Sequence, residues 1–94
     1  MINRSAGLEV RHVPIGQILI GEDLPRDPAK VAKYAQLMVA NPGQDLEPVM
    51  LELLPAVPDL YRIRNGHHRF VAGIIAGRPD LLAVIITEQP QTQE

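Results

Sequence analysis

Hydrophobic positions along this chain change period several times, and each change marks an element. Leu8, Val10 and His12 alternate with Glu9 and Arg11, the two-residue period of a strand with one face buried. Pro14 and Gly16 interrupt the pattern, which predicts a short strand or one at a sheet edge. Residues 21–27, Gly-Glu-Asp-Leu-Pro-Arg-Asp, read as a loop. The period then becomes helical, with Val31, Tyr34, Ala35 and Met38 at i, i+3, i+4 and i+7. Asp27 is placed to cap this helix. Pro28 suits its first turn, where the missing N–H would have no partner. Asn41-Pro42-Gly43 ends it.

Residues 48–54 and 60–63 read as two strands. The loop between them holds Pro55, Pro58 and Asp59, so they form a hairpin with a longer than minimal connection. Asn65-Gly66 breaks the second strand. A second helix is expected from about His67 to Ala76, with Phe70, Val71, Ile74 and Ile75 as its apolar face. Ala72, Gly73 and Ala76 permit close packing, and Gly77-Arg78-Pro79 is the stop. The apolar run 82–87 reads as a central strand buried on both faces, and the Gln-rich residues 88–94 as a frayed tail. Strand, helix, strand, strand, helix, strand predicts a small α/β (α+β) fold, a mixed sheet with two main helices. One domain is expected over residues 1–94, with its core at about 8–87.

Composition removes several classes of function. The chain has 94 residues, 46% hydrophobic and 21% charged, a globular balance. It has no Cys, so disulfides, thiolate metal sites and Cys nucleophiles are excluded. Aromatic residues are 3%, too few for a stacking platform for single-stranded nucleic acid. A net charge of -2 is wrong for a protein that coats nucleic acid. No apolar run is long enough to span a bilayer, and the first residues lack the apolar core of a signal peptide. A cytoplasmic protein without a membrane partner is the expectation. At this size a homo-oligomer or a larger protein partner is compatible with the chain.

Charge is unevenly distributed. Between Leu60 and Pro79 there is no acidic residue, while Arg62, Arg64, Arg69 and Arg78 fall in the same stretch with His67 and His68. This cationic island centres on Asn65-Gly66-His67-His68-Arg69, at a strand-to-helix junction. The first N–H groups of a helix lack intrahelical acceptors and carry partial positive charge. Gly66 permits close approach of a ligand. Arg69, expected to be exposed, adds a planar fork suited to phosphate oxygens, and the imidazoles add donors. A cationic first turn opposes the helix dipole, and a bound anion, above all a phosphate, resolves that conflict. Adjacent helical histidines diverge by about 100° and do not converge on one metal ion, so no metal site is assigned. The only local acidic cluster is Glu22, Asp23 and Asp27. Glu22 is the nearest nominee for a catalytic base, and no set of carboxylates suited to a Mg²⁺-dependent nuclease is evident.

Gly66-His67-His68-Arg69-Phe70-Val71-Ala72 resembles the G-x-x-R-x-x-A signature of the ParB/sulfiredoxin-like superfamily. Val13-Pro14-Ile15-Gly16-Gln17-Ile18 is similar to that superfamily's opening strand and turn. Gly43 to Val49 resembles the approach to its next strand, Tyr61 to Gly66 the strand ahead of the signature, and 82–86 the closing strand. Arg26 matches an Arg that members often carry before the first helix. The resemblance covers roughly residues 8–87. It implies that a nucleoside triphosphate, CTP or ATP, with Mg²⁺ accompanying it, is held by Gly66, His67, His68, Arg69 and Arg26. It also implies a DNA-related binding or regulatory role; because the chain is cationic only over the Arg62–Arg78 island, DNA itself is expected to bind weakly and without sequence preference. Sulfiredoxins carry a catalytic Cys directly after the signature Gly. His67 stands there in this chain, which rules out sulfinic-acid reduction by that route. The alternative is a small nucleotide-dependent phosphotransferase resembling the superfamily's free-serine kinases, whose D-G-H-H-R-like turn is close to this one, with Asn65 in place of the acid.

Overall fold

A computed structural model describes residues 8–21, 24–57 and 59–86. Asp27 caps as its position demands: its Oδ1 accepts from the N–H of Ala29 at 3.1 Å and Lys30 at 3.2 Å. Helix α1 then runs Pro28–Ala40, burying Val31, Ala35 and Met38 from the predicted stripe. Gly66 opens α2, His67–Ile75, and Gly77, at φ +77°, closes it. There the N–H of Gly77 donates to Ile74 O at 3.1 Å and that of Arg78 to Gly73 O at 2.9 Å, the paired bonds of a glycine-terminated helix.

The strands are β1 (Leu8–Pro14), β2 (Ile18–Leu19), β3 (Val49–Leu53), β4 (Tyr61–Asn65) and β5 (Asp80–Ile86). They form a mixed sheet in the order β1-β5-β3-β4-β2. β3 and β4 pair antiparallel as the expected hairpin, β3 and β5 are parallel, and β1 joins β5 antiparallel from Leu8↔Ile86 to Pro14↔Asp80. The two-residue β2, parallel to β4, follows a 3-10 turn at Ile15–Gln17 and is too short for any hydrophobic period to announce. One core gathers Val13, Val49, Leu51, Ile63 and Ile85 from the sheet with Met38, Phe70 and Ala72 from the helices.

Three sequence expectations are corrected. On β1 the buried face is the opposite one: Val13 is buried, while Val10 is 59% exposed and His12 faces solvent, paired with Asp45 at 3.0 Å. β1 is an edge strand, and Arg11, on the Val13 side, lies over the Tyr61 ring and donates to its hydroxyl. On β5 only Leu81, Ala83 and Ile85 are fully buried; Leu82, Val84 and Ile86 are half-buried, because the core the helices share lies on one face of the sheet. On α2, Phe70 is buried but Ile74 and Ile75 are 52% and 63% exposed. Ala72 and Gly73, read as spacers, are the residues that meet the core. Residues 88–94 lie outside the described residues.

Candidate functional site

Gly66 determines how β4 becomes α2. Its backbone is left-handed, at φ +98° and ψ 26°, and a Cβ there would stand 2.7 Å from Val49 Cγ1 and 2.9 Å from Val49 Cβ. Both conditions call for glycine. A glycine cap has no side chain to offer the helix, and α2 has no acid in its first turn. Among the described residues, none accepts a hydrogen bond from the N–H of His67, His68 or Arg69. The first intrahelical bond is Phe70 N–H to Gly66 O at 2.9 Å.

The start of α1 lies beside this turn, where the Asp27 N–H donates to His68 Nε2 at 3.4 Å. Between the two helix starts is a cleft of about 520 Å³. One wall carries Arg26, Lys30 and Tyr34 behind Leu24 and Pro25, and the other is the continuous stretch 65–69. The structure thus brings Arg26, Gly66, His67, His68 and Arg69 to one cavity. It adds Lys30, which the sequence did not single out, and Tyr34, which its spacing placed on the core stripe. Their i, i+4 spacing just inside a capped N-terminus was the available signal: it places an ammonium and a phenol on one flank of α1. Glu22 and Asp23 lie outside the described residues.

Electrostatics within the cationic island differ from the local charge count. Arg62 and Arg64 both reach Glu52 Oε1 at 3.1 Å. That carboxyl comes from β3 and is held below the usual range by these two guanidinium groups, Arg62 foremost, against a partial desolvation. Arg78 Nη2 donates to the carbonyls of Met38, Asn41 and Gln44 at 3.2, 3.1 and 2.9 Å, with its side chain only 14% exposed. It secures the end of α1 and the loop beyond. Arg69 is half-buried rather than exposed, and its Nη1 donates to Glu47 O at 2.6 Å and Pro48 O at 2.9 Å. It therefore ties α2 to the segment entering β3 while lining the cleft. The cations that line the cleft are Arg26, Lys30 and Arg69, and no carboxylate lines it among the described residues. The lining sets backbone donors and a helix dipole on one side and flexible cations on the other, chemistry complementary to an anion.

No protein-family model matches this chain, and no curated protein matches it. Solved structures do. The chain superposes on the C-terminally truncated chromosome-partitioning protein ParB of Caulobacter crescentus complexed with CTP-gamma-S, with a TM-score of 0.66 and 21% identity over 88% of this chain and 46% of that one. The same ParB complexed to the centromeric parS site gives 0.60 and 20%, covering 86% and 40%. Sulfiredoxin of Arabidopsis thaliana gives 0.69 and 18%, covering 85% and 86%. The fold is the ParB/sulfiredoxin-like fold. The chain spans less than half the length of the ParB structures it matches and most of the length of sulfiredoxin. Among the described residues, no helix is long and apolar enough to cross a membrane.

Proposed function

We propose that this chain is a ParB-like module whose cleft binds a nucleoside triphosphate, CTP or ATP, in a DNA-related binding or regulatory role. The observation that carries the reading is convergence. Five residues nominated from the sequence line one cleft at an uncapped helix start, and a structural neighbour is complexed with a CTP analogue at the level of the shared fold. The N–H groups of His67, His68 and Arg69 are the donors for one phosphate. Arg26 and Lys30, on the facing wall, meet the charge of the next. Mg²⁺ would ride on the phosphates, since no described carboxylate lines the cleft to hold it.

Calorimetry and thermal melts with CTP, ATP, GTP, ADP and pyrophosphate, each with and without Mg²⁺, test this reading. A bound ligand raises the melting temperature by mass action. Arg26→Ala, at an exposed position, is expected to weaken binding about tenfold without changing the melt of the free protein. Absence of any shift at millimolar ligand, or equal binding by Arg26→Ala, would sink the reading. DNA is expected to bind weakly and to dissociate as salt rises, because Arg62, Arg64 and Arg78 are already engaged within the fold.

A further inference from the structure

Among the described residues, β1 is the outer strand of the sheet and pairs with β5 alone. In an antiparallel pair, residues bonded to the partner strand alternate with residues whose N–H and C=O point away from it. Ile15 N–H donates to Pro79 O at 3.0 Å, one step beyond the pair Pro14↔Asp80. By that alternation Glu9, Arg11 and Val13 are bonded to β5, and Leu8, Val10 and His12 turn their backbone groups outward. Residues 9–12 are all exposed. A strand edge left in this state is a template for a further strand. The other outer strand, β2, is two residues long and offers too little backbone to act in the same way.

We propose that β1 pairs antiparallel with β1 of a second copy, about a two-fold axis at Val10, joining the two sheets edge to edge. The β1 sequence selects this register. Outward-facing groups must meet outward-facing groups. With the axis at Val10, Leu8 lies opposite His12 of the second copy, Val10 opposite its counterpart, and Glu9 opposite Arg11. The Leu8–His12 and Val10–Val10 pairs then exchange both main-chain bonds. Glu9 and Arg11 fall at the non-bonded positions, where facing side chains stand closest. An axis at Glu9 or at Arg11 sets like charges directly opposite each other. An axis at Arg11 or His12 spends a bonded position on Pro14, which has no N–H. Arg11 and Glu9 pair within the strand at 3.0 Å and stay 41% and 58% exposed, so both keep surface for the second copy. On the sheet face away from the helices, Val10, Val84 and Met50 stand in one row across β1, β5 and β3, and the Val10–Val10 contact continues that apolar row. The two-fold uses up the β1 edge of both copies, so assembly closes at two. β4, whose end opens the phosphate cleft, is separated from β1 by β5 and β3, so pairing leaves the cleft open and stands independently of what binds there.

Sedimentation equilibrium on the full chain, from micromolar to millimolar concentration, is expected to show the average mass rising from one chain toward two. Over the same range, amide hydrogen exchange read by NMR should slow at Val10 and His12, while Arg11, bonded within its own copy, keeps its rate. Val10→Pro removes an outward N–H and spares the bonds to β5, and is expected to raise the dissociation constant at least about tenfold. Glu9→Arg and Arg11→Glu each set like charges opposite each other and should each weaken self-association about tenfold. An equimolar mixture of those two variants matches every charged pair again, and is expected to associate more tightly than either variant alone. Circular dichroism of each variant at the lowest concentration should match the parent's. A monomer at every concentration overturns the proposal, and so does a dimer indifferent to Val10→Pro or one in which the exchange of Val10 and His12 is unchanged. A mixture no tighter than its separate components overturns the axis at Val10.

Discussion

The two helices begin within hydrogen-bonding reach of each other and are finished in opposite ways. α1 brings its own anion: the Asp27 carboxylate accepts from two of its first N–H groups. α2 brings none, because the residue that must turn the chain at that point can only be glycine. The same need, acceptors for a helix start, is met internally in one case and left unmet among the described residues in the other. Steric demand at a single position decides between them. With Val49 packed where any Cβ at 66 would be, the chain has no means of placing a capping side chain there.

The largest effect should come from removing that steric constraint. Gly66→Ala must adopt a left-handed backbone and displace Val49, and is expected to cost about 3 kcal/mol by urea unfolding. Adding Val49→Ala should recover only the packing share, leaving the backbone cost visible. Arg69→Ala comes next. It deletes two charge-assisted bonds to the carbonyls of Glu47 and Pro48, and is expected to lower stability by about 2 kcal/mol as well as ligand affinity. If the unfolding midpoint is unchanged while affinity falls, Arg69 has no structural role and the geometry here is misread. Asp27→Ala should cost about 1 kcal/mol through the lost cap. Asp27→Asn retains a capping oxygen but removes a negative charge beside the cleft, so it is expected to leave stability near the parent's and tighten anion binding by about 0.5 kcal/mol. Equal affinity in both would show that the two helix starts are electrically independent.

The smallest effect tests the opposite face of the sheet, where cations are already matched. The Glu52 carboxyl is lowered in the folded state, by Arg62 first and then Arg64. Its contribution is therefore present above the ordinary glutamate range and lost as pH falls through the lowered value. These side chains are partly exposed, so an acid titration of stability should differ between the parent and Glu52→Gln by only a few tenths of a kcal/mol. Nucleotide affinity should be the same in both.

Local rules were legible where a local cause dominates. The Asp27-Pro28 start, the Gly77 stop, the hairpin and the Asn65-Gly66 junction all follow from residues within a turn of one another, and the structure has each of them. Rules failed where partners are distant in sequence. The island around Arg69 looked unopposed because Glu52 comes from another strand and because the carbonyls of residues 38, 41, 44, 47 and 48 bear no signature. The run 82–87 looked doubly buried because apolarity shows that a residue seeks cover, not what supplies it. The same ambiguity concealed Lys30 and Tyr34: a residue flanking an apolar stripe faces solvent or a cleft according to what the next helix does.

The register Leu8↔Ile86 joins an early strand to a late one across nearly the whole described chain. The β3–β4 hairpin and the β4–α2 junction need only near neighbours, whereas β1 has no partner until β5 exists. During synthesis, then, β1 waits as an unpaired edge with Val10 uncovered while the rest of the sheet is made, the interval in which strand edges are most open to pairing with another chain. Closure of β1 onto β5 should therefore come after the hairpin and its junction have formed. Substitutions in β1 are expected to change mainly the rate of unfolding, and those around the hairpin the rate of folding.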